Sequence, residues 1–202
     1  MELILESQNL QDYLQEIPPV IQFNNPSIQE RIVEIQERSG SKIDQARWAF
    51  EIARDEIAHS FDTKDPIVTI NAIDVIENKE GICFAKAHLL ATLLRGLGIP
   101  AGFCYQRVLR NPKDPESGHA LHGLNALYLE DYGWFRVDPR GNKPGVNSQF
   151  SIEKEQLAYP IRSEFGEIDY PNVFIAPLDT VITSMKNSKT SQELFFNRPE
   201  AL

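Results

Sequence analysis

The chain has few of the features that mark secreted or membrane-spanning proteins. It holds 2 cysteines among 202 residues, too few for the disulfide framework of a small secreted domain. No apolar run approaches the roughly 20 residues that a bilayer-spanning helix needs. The start of the chain, Met1 to Gln11, has neither a basic segment nor an apolar core. We therefore expect no signal peptide, no membrane partner and a cytoplasmic location.

Positive charge is also scarce. The chain has 20 Lys and Arg against 29 Asp and Glu, which gives a net charge of −9. Nucleic acid and anionic membranes select clustered basic residues, so we expect neither as the main partner. Internal repeats and low-complexity segments are lacking as well. The length favours a single domain over residues 1–202, with a helical N-terminal part (1–65), a core (66–145) and a C-terminal extension (146–202).

The most informative stretch is the apolar segment that follows Gly81. Its apolar residues recur at helical spacing and predict a helix from near Cys83 to Gly96 or Gly98. A thiol in the first turn of a helix lies near the positive end of the helix dipole and near unpaired backbone N–H groups, and both favour the thiolate. Cys83 is therefore a candidate nucleophile.

The N-terminal part is expected to be helical. The pattern predicts a helix over Ser27–Ser39, in which Ser27 is the cap and Glu30 follows three residues later. A second helix is predicted over Lys42–Ser60, and His59 in its last turn is given a capping or surface role. A short third helix, Asp74–Asn78, leads into the cysteine.

After Pro100 the period of the apolar residues changes to that of strands. Cys104 alternates within the first strand and is interpreted as a core residue. The predicted elements are strands over Ala101–Leu109, Leu121–Glu130, Trp134–Asp138 and Asn172–Ala176, a short helix over Ile152–Leu157 and a helical or loosely packed tail over Lys186–Leu202.

A thiol nucleophile needs an imidazole to move the proton and a carboxylate or amide to orient that imidazole. The candidates are His122, on the first strand of the predicted hairpin, and Asp138, at the end of the second. With an odd loop length, strand alternation puts both side chains on one face, and Asp138 would face Leu124 or Ala126. His122 would then lie diagonally, near the ~7–8 Å spacing at which side chains can meet.

Several motifs occur together and in order: Gly81-Ile82-Cys83, the leucine-rich run Leu89 to Ala101, His122 at the start of an alternating strand, and Trp134-Phe135-Arg136-Val137-Asp138-Pro139. With them, residues from about Ile67 to Lys143 resemble the transglutaminase-like superfamily, the cysteine-containing branch of papain-like folds. The resemblance implies an α+β fold with a papain/transglutaminase-like core, in which a catalytic helix packs on an antiparallel sheet with N-terminal helices. It also implies a nucleophile at Cys83, a base at His122 and an orienting carboxylate at Asp138. The chain departs from the family pattern at Gly123-Leu124, where many members carry Ala-Trp.

The other histidines are weaker candidates. His119 and His122 form an H-x-x-H pair, but on a strand this spacing points the two rings to opposite faces, and no cysteine pair has zinc-site spacing. We therefore expect no metal. His88, five residues after Cys83, is off the face of the thiol and is expected to pack or to face solvent. Three further residues are candidates for substrate contact: Arg140, Gln106 and Asn125.

The sequence thus predicts a cysteine-dependent acyl-transfer enzyme that acts on amide or peptide bonds through a thioester, with no metal or organic cofactor. The Cys83 backbone N–H is the natural first donor to the oxyanion, and the second donor is unassigned. The substrate would be a peptide, a protein or a small amide. The chain has no calcium-site signature, which favours hydrolysis or small-amine transfer over protein cross-linking. The oligomeric state is open.

Two alternatives remain. The first is a catalytically silent interaction module with the same fold. The second is an arylamine-type acyl transferase, which uses the same three residue types on a similar core. This transferase would need a pocket for the phosphates of coenzyme A, and a chain of charge −9 offers no obvious basic cluster.

Overall fold

The computed structural model describes residues 1–202, and its helices and sheet surround one central helix. The strands are β1 (Ile4–Leu5), β2 (Ala101–Leu109), β3 (His119–Leu129), β4 (Gly133–Val137), β5 (Ile168–Asp169) and β6 (Asn172–Val173). The helices are α1 (Pro26–Arg38), α2 (Lys42–Glu51), α3 (Ser60–Thr63), α4 (Ala72–Asn78), α5 (Cys83–Gly96), α6 (Asp179–Lys186) and α7 (Ser191–Asn197). A 3₁₀ helix over Leu10–Leu14 precedes α1.

The central helix is α5, and every residue from Cys83 to Arg95 is buried. It packs against the sheet through β2 and β3 and against α1, α2 and α4. Because it is covered all round, its polar side chains need internal partners. The Arg95 guanidinium, for example, donates to the backbone oxygens of Gln15, Ala101 and Ile175. The fold is therefore α+β, with the cysteine-bearing helix packed on an antiparallel sheet and flanked by N-terminal helices.

The main sheet has four antiparallel strands in the order β4-β3-β2-β5. Strands β2 and β3 are buried on both faces, because α5 covers one face and a second apolar cluster covers the other. The second cluster joins Tyr13 and Val173 to Cys104, Leu124 and Ala126. Strands β1 and β6 form a separate parallel pair. The predicted β2 agrees with the structure, and β3 and β4 agree to within two residues.

The N-terminal helices differ from the sequence prediction at their ends. Helix α1 begins at Pro26, and its cap is Asn25, whose side chain accepts from the Ser27 N–H, so the predicted cap at Ser27 is wrong. The reason is local: proline is favoured at the first helical position, which moves the cap to the residue before it. The predicted end of the helix, Ser39, is the C-cap.

The second predicted helix, Lys42–Ser60, is too long. Regular α-helix ends at Glu51, and Ile52–Glu56 continues it as a π-helical turn. The apolar pattern does not indicate that the helix ends here, because Ile57 beyond this turn is also buried. The buried Lys86 ammonium donates to the carbonyls of Arg54 and Ile57, and it satisfies backbone groups that a continuing helix would have paired.

The C-terminal region is where prediction and structure differ most. The predicted helix over Ile152–Leu157 does not form, because residues 153–156 are exposed and offer no apolar face. Gln149 instead pairs with Gln156 to close a loop. The predicted strand Asn172–Ala176 shortens to β6. Strand β5 and helix α6 had no sequence prediction, whereas α7 lies in the tail where helix was one of the expectations. No helix in the structure combines the length and the apolar character that crossing a membrane requires.

Candidate active site

Cys83 is the first residue of α5, and no side chain caps this helix. The preceding residue, Ile82, occupies the cap position in an extended conformation and has no oxygen to offer to the first turn. The Cys83 backbone N–H has no hydrogen-bond partner. A helix start with free N–H groups presents positive potential to any anion placed there. Cys83 is 2% exposed, so bulk water does not screen this potential.

The site lies at the edge of β3 that β4 leaves unpaired. The β3–β4 ladder ends with Asn125 opposite Val137, and the first half of β3 therefore has no strand partner on that side. The C-terminal segment lies there instead, and the Leu121 N–H donates to the Pro199 carbonyl at 2.7 Å. His122 and Asp138 meet beside this edge: His122 Nε2 lies 2.8 Å from Asp138 Oδ2.

Asp138 is fully buried and held by several donors. Its Oδ2 accepts from the Ala158 N–H at 2.9 Å as well as from His122, and its Oδ1 accepts from the Arg140 N–H at 3.0 Å. Burial alone would raise the pKa of Asp138, but the charge and hydrogen bond of His122 and the two backbone N–H groups lower it. The carboxylate is therefore ionised and fixed in position, with one oxygen aimed at the imidazole.

A second network holds the His122 ring from the side. The ring of Tyr159 meets it edge-on, with centroids 4.8 Å apart and planes at 87°. The Tyr159 hydroxyl accepts from Arg140 Nε at 2.9 Å, and the Arg140 guanidinium pairs with both oxygens of Asp62. Arg140, one of the three predicted candidates for substrate contact, is thus held in this network, although it also lines the cavity described below.

The electrostatics couple Cys83 to His122. Burial raises the pKa of the Cys83 thiol, but the charge and N–H of the nearby His122 outweigh it, together with Arg198 and the Gly123 N–H, so that the net shift is downward. For His122, burial disfavours the charged ring, while Asp138 and the Cys83 thiolate favour it and raise its pKa to about 9. Both shifts favour the thiolate–imidazolium form of the pair over the neutral form.

Cys83 and His122 both line a cavity of about 640 Å³. His59 lines it too, since Ala58 pairs with Glu80 in a parallel bridge that brings this segment beside the residues preceding Cys83. His59 Nδ1 accepts from the Phe61 N–H at 3.3 Å and caps α3, so Nε2 carries the proton. Burial and nearby cations lower the pKa of His59 well below its usual value, and the ring is therefore neutral. The predicted surface position for His59 is wrong, and so is its predicted place in the last turn of a helix, because His59 is buried and caps the start of α3.

The cavity is rich in basic residues, contrary to the expectation that the chain has no basic cluster. Two acidic residues line it, Asp62 and Glu167, against six basic ones: Arg110, Lys113, Arg140, Lys143, Arg162 and Arg198. The sequence could not reveal this cluster, because its members come from separate segments that only the folded chain brings together.

Gly123, where the chain departs from the family pattern, lies against the nucleophile helix. A Cβ added at this position would lie 2.6 Å from Cδ1 of Phe84, the residue that follows Cys83. No real Cβ approaches a ring carbon this closely, so the large Phe84 side chain requires glycine opposite it. The departure therefore reflects packing between α5 and β3.

The remaining polar candidates are structural. Asn125 is fully buried and donates to the carbonyls of Ala87 and Gly102, between α5 and β2. Gln106 donates to Asp169 across the β2–β5 pair, and neither amide lines the cavity. His88 is buried, with Nδ1 2.7 Å from the Ile70 carbonyl, and its pKa falls to about 4 because of burial. His119 Nε2 lies 2.8 Å from the Phe165 carbonyl.

Cys104 contrasts with Cys83. It is fully buried in the apolar cluster on the far face of the sheet, and burial raises its pKa to about 12. Its interpretation as a core residue is confirmed. Sequence reasoning missed Tyr159, Arg198 and the position of His59, because each enters the site from a segment without a recognisable motif.

Residues 29–139 match the family described as the transglutaminase-like superfamily, and Cys83, His122 and Asp138 all fall within this range. No curated protein matches the chain. Tyr159 and Arg198 lie outside the matched range.

Solved structures with similar folds include a candidate cysteine protease from Cytophaga hutchinsonii, at 17% identity and a TM-score of 0.45 over 66% of this chain and 43% of that one. The periplasmic domain of TgpA from Pseudomonas aeruginosa aligns at 21% identity with a TM-score of 0.47, over 66% of this chain and 48% of that one. The same domain bound to ethylmercury gives 21% and 0.46, over 64% and 48%. The chain thus spans less than half of each of these structures.

Proposed function

Because the chain belongs to the transglutaminase-like superfamily, we propose that it is a cysteine-dependent acyl-transfer enzyme acting on amide or peptide bonds through a thioester. The observation that carries the proposal is the position of Cys83, at the uncapped start of α5 and in one cavity with His122, whose Nε2 lies 2.8 Å from Asp138 Oδ2. The lowered pKa of the Cys83 thiol agrees with this position. A structural cysteine in an apolar setting shows the opposite shift, as Cys104 does. A lowered pKa in a buried thiol is typical of a nucleophile.

In the proposed first step the Cys83 thiolate attacks the carbonyl carbon of the substrate, a C–S bond forms and the carbonyl oxygen becomes an oxyanion. His122 Nε2 is engaged by Asp138, so Nδ1 is the nitrogen that faces the reaction. It donates its proton to the leaving amine as the C–N bond breaks, and the product is a thioester on Cys83. Asp138 keeps the imidazole in this tautomer and stabilises its charged form.

In the second step water or an amine attacks the thioester, and His122 Nδ1 accepts its proton. The C–S bond breaks and the thiolate returns. Hydrolysis gives an amidase or protease and attack by an amine gives a transglutaminase-like transfer. We favour hydrolysis or transfer to a small amine, because the sequence has no calcium-site signature. No step needs a metal or an organic cofactor.

The oxyanion needs donors that are already in place. The unpaired N–H of Cys83 is the first. We propose His59 as the second, because its Nε2–H has no partner, the ring is neutral and its Nδ1 is fixed by the Phe61 N–H. A donor held in one tautomer needs no reorganisation when charge develops on the substrate oxygen.

The proposal is tested by trapping the intermediate. The protein is mixed with p-nitrophenyl acetate, quenched in acid within the first turnover and weighed by mass spectrometry. We expect an added acetyl group on the peptide that contains Cys83. The silent interaction module predicts no acetylation of Cys83, and that result would refute the enzymatic reading.

A further inference from the structure

The side chain of Arg198 lines the cavity, and its guanidinium forms no ion pair. Its side chain is 8% exposed and stacks on the rings of Phe61 and Phe195, at 5.0 and 4.9 Å from their centroids. Its side chain makes one hydrogen bond, from Nε to the Phe195 carbonyl at 3.4 Å. It takes part in no ion pair, unlike Arg140 with Asp62 and Arg162 with Glu167. Both terminal nitrogens therefore remain available to a ligand.

A buried guanidinium without a carboxylate is costly to maintain, because its charge loses hydration and forms no hydrogen-bonded ion pair in return. The other charges around the cavity add to this cost. The cavity wall has four more basic than acidic residues, in a chain whose net charge is −9. An anionic ligand would offset the local excess of positive charge.

Arg198 and Cys83 line the same cavity. Burial lowers the pKa of Arg198 to about 10, while the negative charge of Cys83 raises it more than any other group does. The same interaction helps to lower the pKa of Cys83. A ligand that contacts both the guanidinium and the thiol must therefore place its anionic group and its reactive carbon within this one cavity.

We infer that Arg198 is a specificity-determining residue that binds a carboxylate on the substrate, next to the amide bond that Cys83 attacks. A planar guanidinium with two free terminal nitrogens matches the two oxygens of a carboxylate. The substrate class is thus an amide or peptide with a free carboxylate close to the scissile bond. This inference rests on the proposed function.

Two thiol reagents test the inference without knowledge of the substrate. Iodoacetate and iodoacetamide both alkylate a thiolate with loss of iodide, and they differ in that iodoacetate carries a carboxylate beside the reactive carbon. The measured quantity is the second-order rate constant of iodoacetate with Cys83 divided by that of iodoacetamide, both at pH 6 and read by mass spectrometry. In Arg198→Met this ratio should fall roughly tenfold, as expected when one charge-assisted interaction is lost.

Two further variants control the experiment. Arg198→Lys keeps a cation in the cavity and should restore much of the ratio, whereas a purely structural role for the guanidinium would give no such rescue. Arg38→Met removes an arginine that also stacks on an aromatic ring, 4.5 Å from the centroid of Trp48, but does not line the cavity. Its ratio should equal that of the unaltered protein.

The outcomes separate the inference from the proposed function. If Cys83 reacts readily with both reagents and Arg198→Met leaves the ratio unchanged, the carboxylate site is wrong while the nucleophile stands. Equal slowing of both reagents, with a higher thiol pKa in the pH profile, would mean that Arg198 acts on the thiolate alone and would also overturn the inference. A Cys83 that is inert to both reagents would overturn the inference and the proposed function together.

A protection experiment identifies the anion. Succinate should slow the reaction of Cys83 with iodoacetamide in the unaltered protein, and the protection should be lost in Arg198→Met. Protection by coenzyme A and not by succinate would mean that Arg198 binds a phosphate and not a carboxylate. That result would overturn the inference and would favour the acyl-CoA transferase.

Discussion

His122 Nε2 and Asp138 Oδ2 are 2.8 Å apart, although the strand ladder that aligns them stops before either residue. Continued by one pair, the register places Asp138 opposite Leu124 and His122 on the next diagonal. Diagonal side chains need extra reach to touch. The Ala158 and Arg140 N–H groups hold the carboxylate at the required position once the strand has ended.

Cys83→Ala should abolish acetyl transfer from p-nitrophenyl acetate, since it removes the nucleophile. The fold should be retained because alanine is well tolerated in the first turn of a helix. Cys104→Ala is the matched control: it removes the other buried thiol and should keep the acylation rate close to that of the unaltered protein. The stopped-flow burst of p-nitrophenolate measures both. A burst retained in folded Cys83→Ala protein would end the assignment of the nucleophile.

Iodoacetamide near pH 6 should label Cys83 far faster than Cys104. The pKa of Cys83 is lowered chiefly by His122 against the effect of burial, whereas burial raises that of Cys104 to about 12. Denaturation removes both environments and should make the two rates similar. His122→Ala should slow the labelling of Cys83, because the thiolate loses its cationic partner. Mass spectrometry of the alkylated peptides reads each rate, and equal labelling in the native protein would contradict the prediction.

Asp138→Asn should shift the alkaline limb of the pH–rate profile to lower pH when the protein is acylated by a p-nitroanilide, whose amine leaving group has to be protonated. The Asp138 charge is the largest favourable influence on His122, whose pKa is about 9 in spite of burial. Without it the imidazolium loses its proton at a lower pH, and the acid that protonates the leaving group disappears earlier. His122→Ala should lower the acylation rate constant more than Asp138→Asn does, by roughly 10²–10⁴-fold. A dead Asp138→Asn with a nearly active His122→Ala would reverse the two roles.

His59→Asn should lower the acylation rate constant by roughly 10²–10³-fold, the cost of one oxyanion donor. Asparagine can still cap α3 by accepting from the Phe61 N–H, but it presents no ring N–H to the cavity. Alkylation of Cys83 by iodoacetamide forms no oxyanion and serves as the reference reaction, in which the variant should lose far less. Equal losses in the two reactions would point to a disturbed cavity and would exclude the donor role.

Gly123→Ala should destabilise the protein by about 1–3 kcal/mol, the usual cost of overpacking a core. The added Cβ would lie 2.6 Å from Phe84 Cδ1 and 3.5 Å from Phe84 Cα, and the Phe84 ring is buried in the core. Phe84→Ala, which removes Cδ1 and the rest of the ring, should relieve most of this penalty in the double variant. Thermal or urea unfolding of the four proteins in the cycle gives the coupling free energy, and additive effects would show that the two residues do not clash.

The sequence determined the parts of the site that short-range patterns encode. The apolar period after Gly81 predicted α5 and the position of Cys83 in its first turn, and strand alternation around a tight turn put His122 and Asp138 on one face. These predictions depend only on the helical and strand repeats and on the chain connectivity between neighbouring elements. The family resemblance rested on the same local motifs.

Only the tertiary structure decided what surrounds the reacting groups. His59 enters through a bridge between Ala58 and Glu80. Tyr159 enters through the loop that follows Ile152–Leu157, and Arg198 through the C-terminal segment beside the unpaired edge of β3. The thiol pKa depends on these long-range neighbours and on burial, because charges interact through space whatever their separation along the chain. For the same reason a chain that is acidic as a whole has a basic cavity around its reactive cysteine.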